Sequence, residues 1–140
     1  MATKKIGFLG AGDIADLHAA GVSSCPQAEL VGLFDVDGEK AATKARQYGC
    51  ESYGSAEQLL ANPAIDAVFV LSPLEAHHEG AVLALEAGKH VLGEKPSAAN
   101  TNELNATLAA AKKHQRLYME AMMTTHLPNF TNLKHAMAKI

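Results

Sequence analysis

The stretch Lys5-Ile6-Gly7-Phe8-Leu9-Gly10-Ala11-Gly12-Asp13-Ile14-Ala15-Asp16 decides the fold, because an apolar run closes with a G-x-G-x-x-A turn and reopens as a helix. A turn this tight needs Gly10 for its backbone angles, while Gly12, lacking a Cβ, lets the main chain come close to a pyrophosphate. Ala15 lets the new helix pack closely on the strand. The phosphates then meet free N–H groups at the positive end of that helix, which holds anions without Lys or Arg. A glycine pattern alone is common, and its context gives it weight.

That context extends outward from the turn. Ile6, Phe8 and Leu9 suit a buried strand over Lys5 to Leu9. Ile14, Leu17, His18 and Gly21 recur at helical spacing from Asp13 to about Ser24, with Pro26 as a stop. A second apolar strand, Glu29 to Phe34, ends at Asp35, about 20 positions past the glycines, where an acidic residue accepts hydrogen bonds from an adenosine ribose. Asp37, before Gly38 and Glu39, reads instead as the cap of the next helix. A carboxylate at Asp35 repels a 2′-phosphate, and Val36 and Asp37 offer no Arg to hold one, so NAD is favoured over NADP. The nearest cation, Lys40, lies on the following helix, within reach if it bends back.

The alternation continues. Gly38 to Tyr48 reads as a helix with Ala41, Ala42, Ala45 and Tyr48 on one face and Gly49 as a left-handed cap. A short strand near Glu51 to Tyr53 precedes a brief helix opened by Ser55 and Gln58 and closed by Asn62-Pro63. Ala67 to Leu71 is apolar throughout, as a parallel strand covered on both faces is. A helix from about Leu74 to Ala87, a strand at His90 to Gly93, a helix from Thr101 to His114 capped by Asn100 with Glu103, and a strand at Arg116 to Glu120 complete the order. Strands alternating with helices define an α/β doubly wound parallel sheet, a Rossmann fold, whose ligands bind beyond the strand C-termini.

Composition narrows the function classes. At 140 residues, with 48% hydrophobic and 19% charged residues, the chain suits one soluble domain. A net charge of −3 and the lack of any basic run argue against nucleic-acid binding. No charged leader or membrane-length apolar run is present, so a cytoplasmic protein with no membrane partner is expected. Cys25 and Cys50 lie near turns without metal or redox spacing and are expected to be reduced packing residues. Of the seven histidines, His77 and His78 are adjacent on a helix and point apart, and no H-x-x-x-H spacing occurs, so no metal site is expected. His78 reads as a surface residue. Met119, Met122 and Met123 read as filler of a core or domain interface.

A second constellation follows the fifth strand. Gly93-Glu94-Lys95-Pro96 sets an acid, a base and a rigid proline at the edge where the nicotinamide half of a dinucleotide belongs, and the Lys95–Pro96 bond is a candidate for the cis form. A lysine there polarises a substrate hydroxyl or carbonyl and stabilises charge on its oxygen during hydride transfer. The competing reading is a solvated charge pair in an exposed loop.

The order of motifs resembles the N-terminal half of the glucose-fructose oxidoreductase, inositol dehydrogenase and MocA-like family. The resemblance runs from Ile6 to about Pro128. It rests on Gly10 to Ala15, Asp35, Ser72-Pro73 with His77, Ala87-Gly88-Lys89-His90-Val91-Leu92 and Glu94-Lys95-Pro96. It implies that Gly10, Gly12, Asp13 and Ile14 hold the pyrophosphate and Asp35 the ribose, that Ser72, Pro73 and His77 line the cofactor cleft, and that Glu94 and Lys95 sit beside the nicotinamide. In the family that lysine takes part in catalysis. Where the family usually has Asn after Ser-Pro, this chain has Leu74.

The resemblance further implies a dinucleotide-binding domain over 1–122, with 123–140 the start of a second domain that carries the substrate pocket and the homo-oligomer contacts and is otherwise absent from this chain. Phe130, Leu133, Ala136, Met137 and Ile140 form an apolar stripe consistent with that start. The function expected is hydride transfer between a nicotinamide cofactor and a secondary alcohol or ketone of a small-molecule sugar, polyol or diol. The fragment alone is expected to bind cofactor with little turnover. The alternative is a non-catalytic NAD-binding sensor or regulatory module. Homoserine or aspartate dehydrogenases share a similar first half, and Glu94-Lys95-Pro96 speaks against them.

Overall fold

The computed structural model describes residues 2–138. The elements run β1 (Lys4–Leu9), α1 (Asp13–Ser23), β2 (Ala28–Phe34), α2 (Gly38–Tyr48), β3 (Glu51–Ser52), α3 (Ala56–Ala61), β4 (Ala67–Val70), α4 (His77–Glu86), β5 (His90–Gly93), α5 (Thr101–Lys113), β6 (Tyr118–Glu120) and α6 (Pro128–Met137). The six strands form one parallel sheet in the order β3-β2-β1-β4-β5-β6. The chain builds outward from β1 in one direction, then crosses back to β4 and builds the other way. In sheets of this topology ligands bind beyond the carboxyl ends of the strands, at a reversal such as that between β1 and β4.

Each face of the sheet carries its own core. Ala15 and Val22 of α1 and Ala41 and Ala45 of α2 pack with Ile6, Phe8 and Leu33 on one face. Leu59 and Leu60 of α3, Ala81, Ala84 and Leu85 of α4 and Ala111 of α5 pack with Val68, Val70 and Val91 on the other. The strands between are buried on both sides, which is why β4 reads as an unbroken apolar run.

Local signals act as the sequence implies. Asp37 caps α2 by accepting the Lys40 N–H at 3.0 Å, Ser55 caps α3 by accepting from Gln58 at 3.2 Å, and Asn100 caps α5 by accepting from Glu103 at 3.0 Å. Glu103 accepts in turn from the Asn100 side-chain amide at 2.8 Å, and Gly49 ends α2 at φ 71°.

Several expectations need correction. The α1 face turned to the core is Ala15 and Val22 with His18 and Ala19 half-buried, whereas Ile14 and Leu17 are exposed, Leu17 by 58%. Small residues were needed where the helix lies on the sheet, so the larger apolar ones turn outward. The helix expected from Leu74 opens as a 3-10 turn over Leu74–Ala76, and α4 proper starts at His77. The last strand is shorter, beginning at Tyr118 rather than Arg116. Cys25 is exposed and packs nothing, while Cys50 is half-buried. His78 is half-buried, its Nδ1 on the Thr107 hydroxyl at 2.9 Å between α4 and α5. Met119, Met122 and Met123 fill no core in this domain, because β6 is the sheet's outer strand and all three are exposed. In α6 Phe130 is half-buried and Leu133 and Met137 are exposed; Ile140 lies outside the described residues. Among the described residues no helix is long and apolar enough to cross a membrane.

Candidate functional site

The register brings the strand ends level. Leu9 pairs with Phe34 on one side and Val70 on the other, Val70 with Gly93, and Gly93 with Glu120. The residues that follow these ends, Gly10, Asp35, Leu71 and Glu94, therefore emerge along one edge.

Gly10 turns away from β1 at φ +107°, and a Cβ there would lie 2.6 Å from the Leu71 carbonyl carbon and 2.7 Å from the Ser72 nitrogen. Its N–H donates to the Phe34 carbonyl at 2.8 Å. The turn is thus wedged between the exits of β2 and β4, and only glycine fits. Gly12 differs: a Cβ would meet nothing within 4 Å, so its Cα faces open space. No side chain caps α1, and the N–H groups of Gly12, Asp13 and Ile14 find no hydrogen-bond partner among the described residues. Helices α2, α3 and α5 carry Asp37, Ser55 and Asn100 for this purpose, whereas α4 and α6, like α1, have no side-chain cap. Three open N–H donors beside a bare Cα suit the oxygens of a pyrophosphate.

Asp35 closes on this loop. Its Oδ2 accepts the Ala11 N–H at 2.7 Å and its Oδ1 the Asp37 N–H at 2.9 Å, with the side chain 11% exposed. Each oxygen keeps a further lone pair, so the carboxylate retains capacity for hydroxyl donors. Lys40 does bend back, its Nζ 4.0 Å from Asp35 Oδ2.

Beyond β4, Ser72 Oγ is buried and has no hydrogen-bond partner among the described residues, while Pro73 is exposed. His77 lies beneath this loop, 4% exposed, with Nε2 2.7 Å from the Ser72 carbonyl and Nδ1 2.8 Å from the Pro96 carbonyl. Both ring nitrogens face main chain. Their geometry is that of a strut between two loops.

Beyond β5, Glu94 is taken up on both oxygens. Oε1 meets His18 Nε2 at 2.8 Å and Oε2 accepts the Lys95 N–H at 3.1 Å. Lys95 is exposed, and its Nζ makes no hydrogen bond or ion pair with any described residue. The Lys95–Pro96 bond is cis. Glu120, at the end of β6, accepts the Ser97 N–H at 2.8 Å and secures the loop further on. His18 and Glu120 are the members of this cluster that sequence reasoning did not assign to it. His18 was legible only as a polar residue on the inner face of α1.

Burial raises the pKa of Tyr118, whose hydroxyl faces the Ser97 carbonyl behind the Lys95 loop; two other shifted groups, Lys89 and Asp16, lie away from the strand ends. Burial lowers the pKa of Lys89, whose Nζ donates to the Asn62 and Ile65 carbonyls at 2.7 and 2.9 Å, below the opposite edge of the sheet. Hydrogen bonds from Lys44 and Tyr48 hold Asp16 below the usual carboxylate value. An open cleft of about 490 Å³ between α1 and α2, lined by Asp16, Leu30 and Tyr48 among others, also lies away from the strand ends. Among the described residues no cluster of His, Cys, Asp or Glu is arranged to hold a metal ion.

A parallel sheet reversing at β1 and β4, with an uncapped glycine turn and an acid beyond β2, defines a Rossmann dinucleotide-binding domain. Residues 4–122 match the family described as "Oxidoreductase family, NAD-binding Rossmann fold", the glucose-fructose oxidoreductase, inositol dehydrogenase and MocA group, and the chain belongs to it. It is 34% identical over 137 residues to scyllo-inositol 2-dehydrogenase (NADP(+)) IolU of Bacillus subtilis, a match covering 97% of this chain and 42% of that protein. It is 38% identical over 120 residues to glucose-6-phosphate 3-dehydrogenase of the same organism, covering 86% of this chain and 33% of the relative. Among solved structures, KijD10, a 3-ketoreductase from Actinomadura kijaniata in complex with NADP and TDP-benzene, matches with a TM-score of 0.92 at 28% identity, over 98% of this chain and 42% of that one. The chain therefore spans less than half the length of these relatives.

Proposed function

We propose that this chain is the cofactor-binding part of a nicotinamide-dependent oxidoreductase acting on a secondary alcohol or ketone of a sugar, polyol or diol. The observation that carries the reading is the uncapped start of α1, where three N–H groups stand free beside the open Cα of Gly12, next to the carboxylate of Asp35. Gly10, Gly12, Asp13 and Ile14 would hold the pyrophosphate through the main chain, and Asp35 the adenosine ribose through its remaining lone pairs. Ser72 would offer its buried hydroxyl to the cofactor, with Pro73 beside it on the crevice wall. A nicotinamide dinucleotide supplies or accepts the hydride.

Lys95 is the catalytic group of this reading. Its free ammonium donates to the substrate oxygen, withdraws charge from it in the ketone direction and steadies the alkoxide in the alcohol direction. The names of the relatives, dehydrogenases of inositol and of sugar phosphates, support the substrate class. The relatives' being named dehydrogenases favours an enzyme over a sensor.

The carboxylate of Asp35 makes NAD the tighter ligand, because a 2′-phosphate would crowd it. Lys40, close to that carboxylate, offsets part of the repulsion, so NADP binds as the weaker second cofactor. Residues 123–138, with exposed Met123, Leu127, Leu133 and Met137, read as the start of a second unit that holds the substrate. Separate calorimetric titrations with NAD and NADP test the proposal. Saturable binding of both, tighter for NAD by several-fold, is expected; no saturation with either by folded protein overturns it, and equal affinities overturn the Asp35 argument alone.

A further inference from the structure

The loop that bears Lys95 is held from both faces of the sheet. On one face His18, from the third residue pair of α1, reaches Glu94 Oε1 at 2.8 Å. On the other, His77, first residue of α4, lies between two acceptors, Nδ1 2.8 Å from the Pro96 carbonyl and Nε2 2.7 Å from the Ser72 carbonyl, and the nitrogen that carries the proton donates to its neighbour. Lys95 sits between these two anchors. Its own N–H completes the arrangement by donating to Glu94 Oε2 at 3.1 Å.

The His18 ring has little freedom. It meets Phe8 of β1 and Phe69 of β4 edge-on, at centroid distances of 6.4 and 5.5 Å and interplanar angles of 77° and 74°. Those two rings stack on each other at 5.4 Å and give the imidazole a fixed aromatic floor. Its side chain is 15% exposed and that of Glu94 12%, so the pair is largely shielded from water. A carboxylate only accepts, which requires His18 Nε2 to carry the donated proton. Such charge-assisted bonds, partly out of water, are stronger and more directional than neutral ones. Among the described residues, Glu94 is the carboxylate that His18 meets; β1 and β4 present it only aromatic rings.

We propose that His18 is a positioning residue for Lys95, acting through Glu94. The imidazole fixes the carboxylate, the carboxylate fixes the Lys95 N–H, and with His77 gripping the far side the main chain at Lys95 keeps one orientation toward the crevice. The pyrophosphate-binding helix and the lysine loop are thereby built as one unit, although 76 residues separate His18 from Glu94. The inference rests on Lys95 being the substrate-facing group, and it is tested without substrate or cofactor.

The experiment is amide hydrogen exchange on the unliganded chain, followed by NMR at the Lys95 N–H. In His18→Leu, exchange at Lys95 is expected to quicken about tenfold, the scale of one lost hydrogen bond, while His18→Gln, which keeps a donor, stays near the wild-type rate. In Glu94→Ala, exchange at Lys95 should quicken by a similar factor, and adding His18→Leu to it should quicken it little further, because the two act through one contact. A Lys95 amide that exchanges equally fast with and without His18, or that quickens as much in His18→Gln as in His18→Leu, overturns the proposal. Glu94→Ala decides the matter even if His18→Leu fails to fold: a Lys95 amide that exchanges at the wild-type rate without that carboxylate overturns the proposal. Failure to bind NAD or NADP would overturn the proposed function and leave these free-protein readouts intact, so the two failures are separable.

Discussion

Substituting the two turn glycines separates what holds the fold from what holds the cofactor. In Gly10→Ala the new Cβ meets main-chain atoms of Leu71 and Ser72 at 2.6 to 2.7 Å, and the residue must hold φ +107°. The conformation costs about 1–2 kcal/mol for an L-residue. Overpacking against backbone that cannot rotate away adds about 1–3 kcal/mol. A total of about 2–5 kcal/mol is a large share of the 5–15 kcal/mol typical of a domain and lowers Tm by roughly 10 °C or more. Gly12→Ala puts its Cβ into open space at ordinary angles, φ −69° and ψ −176°, so stability stays within about 1 kcal/mol, the scale of a changed N-cap. That methyl stands where a pyrophosphate must approach, so NAD affinity should fall at least about tenfold, equivalent to about 1.4 kcal/mol. Denaturant unfolding and calorimetric NAD titration of both variants read the two effects. A Gly10→Ala protein as stable as wild type, or a Gly12→Ala protein that binds NAD unchanged, would refute the reasoning.

Other consequences follow from single contacts. Asp35→Ala frees the N–H groups of Ala11 and Asp37, and losing bonds to a charged acceptor should cost about 2–4 kcal/mol in urea unfolding and abolish the preference for NAD over NADP. Asp66 is held below the usual carboxylate value, chiefly by the Lys5 N–H and then by Lys4. Its depressed folded pKa means its contribution is complete above the unfolded value of about 3.9 and fades as pH falls through the folded one. Asp66→Asn should therefore flatten the acid limb of a stability-against-pH curve and be less stable than wild type at neutral pH. Burial pushes the Cys50 thiol up to about 11, whereas Cys25 is exposed. A thiol reagent at neutral pH should label Cys25 promptly and Cys50 only on unfolding; equal rates would contradict the packing described.

Much of the fold was legible because its signals are local. The β1 turn, the caps at Asp37, Ser55 and Asn100 and the apolar run of β4 each specify structure within a few residues. The α1 face differs for a physical reason: periodicity marks Ile14 and Leu17 as apolar, but the face against the sheet is Ala15, Ala19 and Val22, where smaller side chains let the helix lie close. Methionines 119, 122 and 123 read as filler of a core or a domain interface, and their exposure leaves only the interface, since hydropathy does not say that β6 is an outer strand. For the site, Gly10, Gly12 and Asp35 announce themselves by spacing. His18 does not, because its partner Glu94 is distant in sequence and the sheet order alone brings them together. The strut made by His77 was hidden for the same reason, since its partners are main-chain carbonyls that no motif records.

The central claim is that the edge defined by the Gly10–Ile14 turn, Asp35 and the Lys95 loop binds a nicotinamide dinucleotide. An amide NMR titration of the folded chain with NAD tests it directly. Saturable shifts concentrated at Gly12, Asp13, Ile14, Asp35, Ser72 and Lys95 are expected; shifts confined to the opposite edge around Lys89, or none up to millimolar ligand, would contradict it.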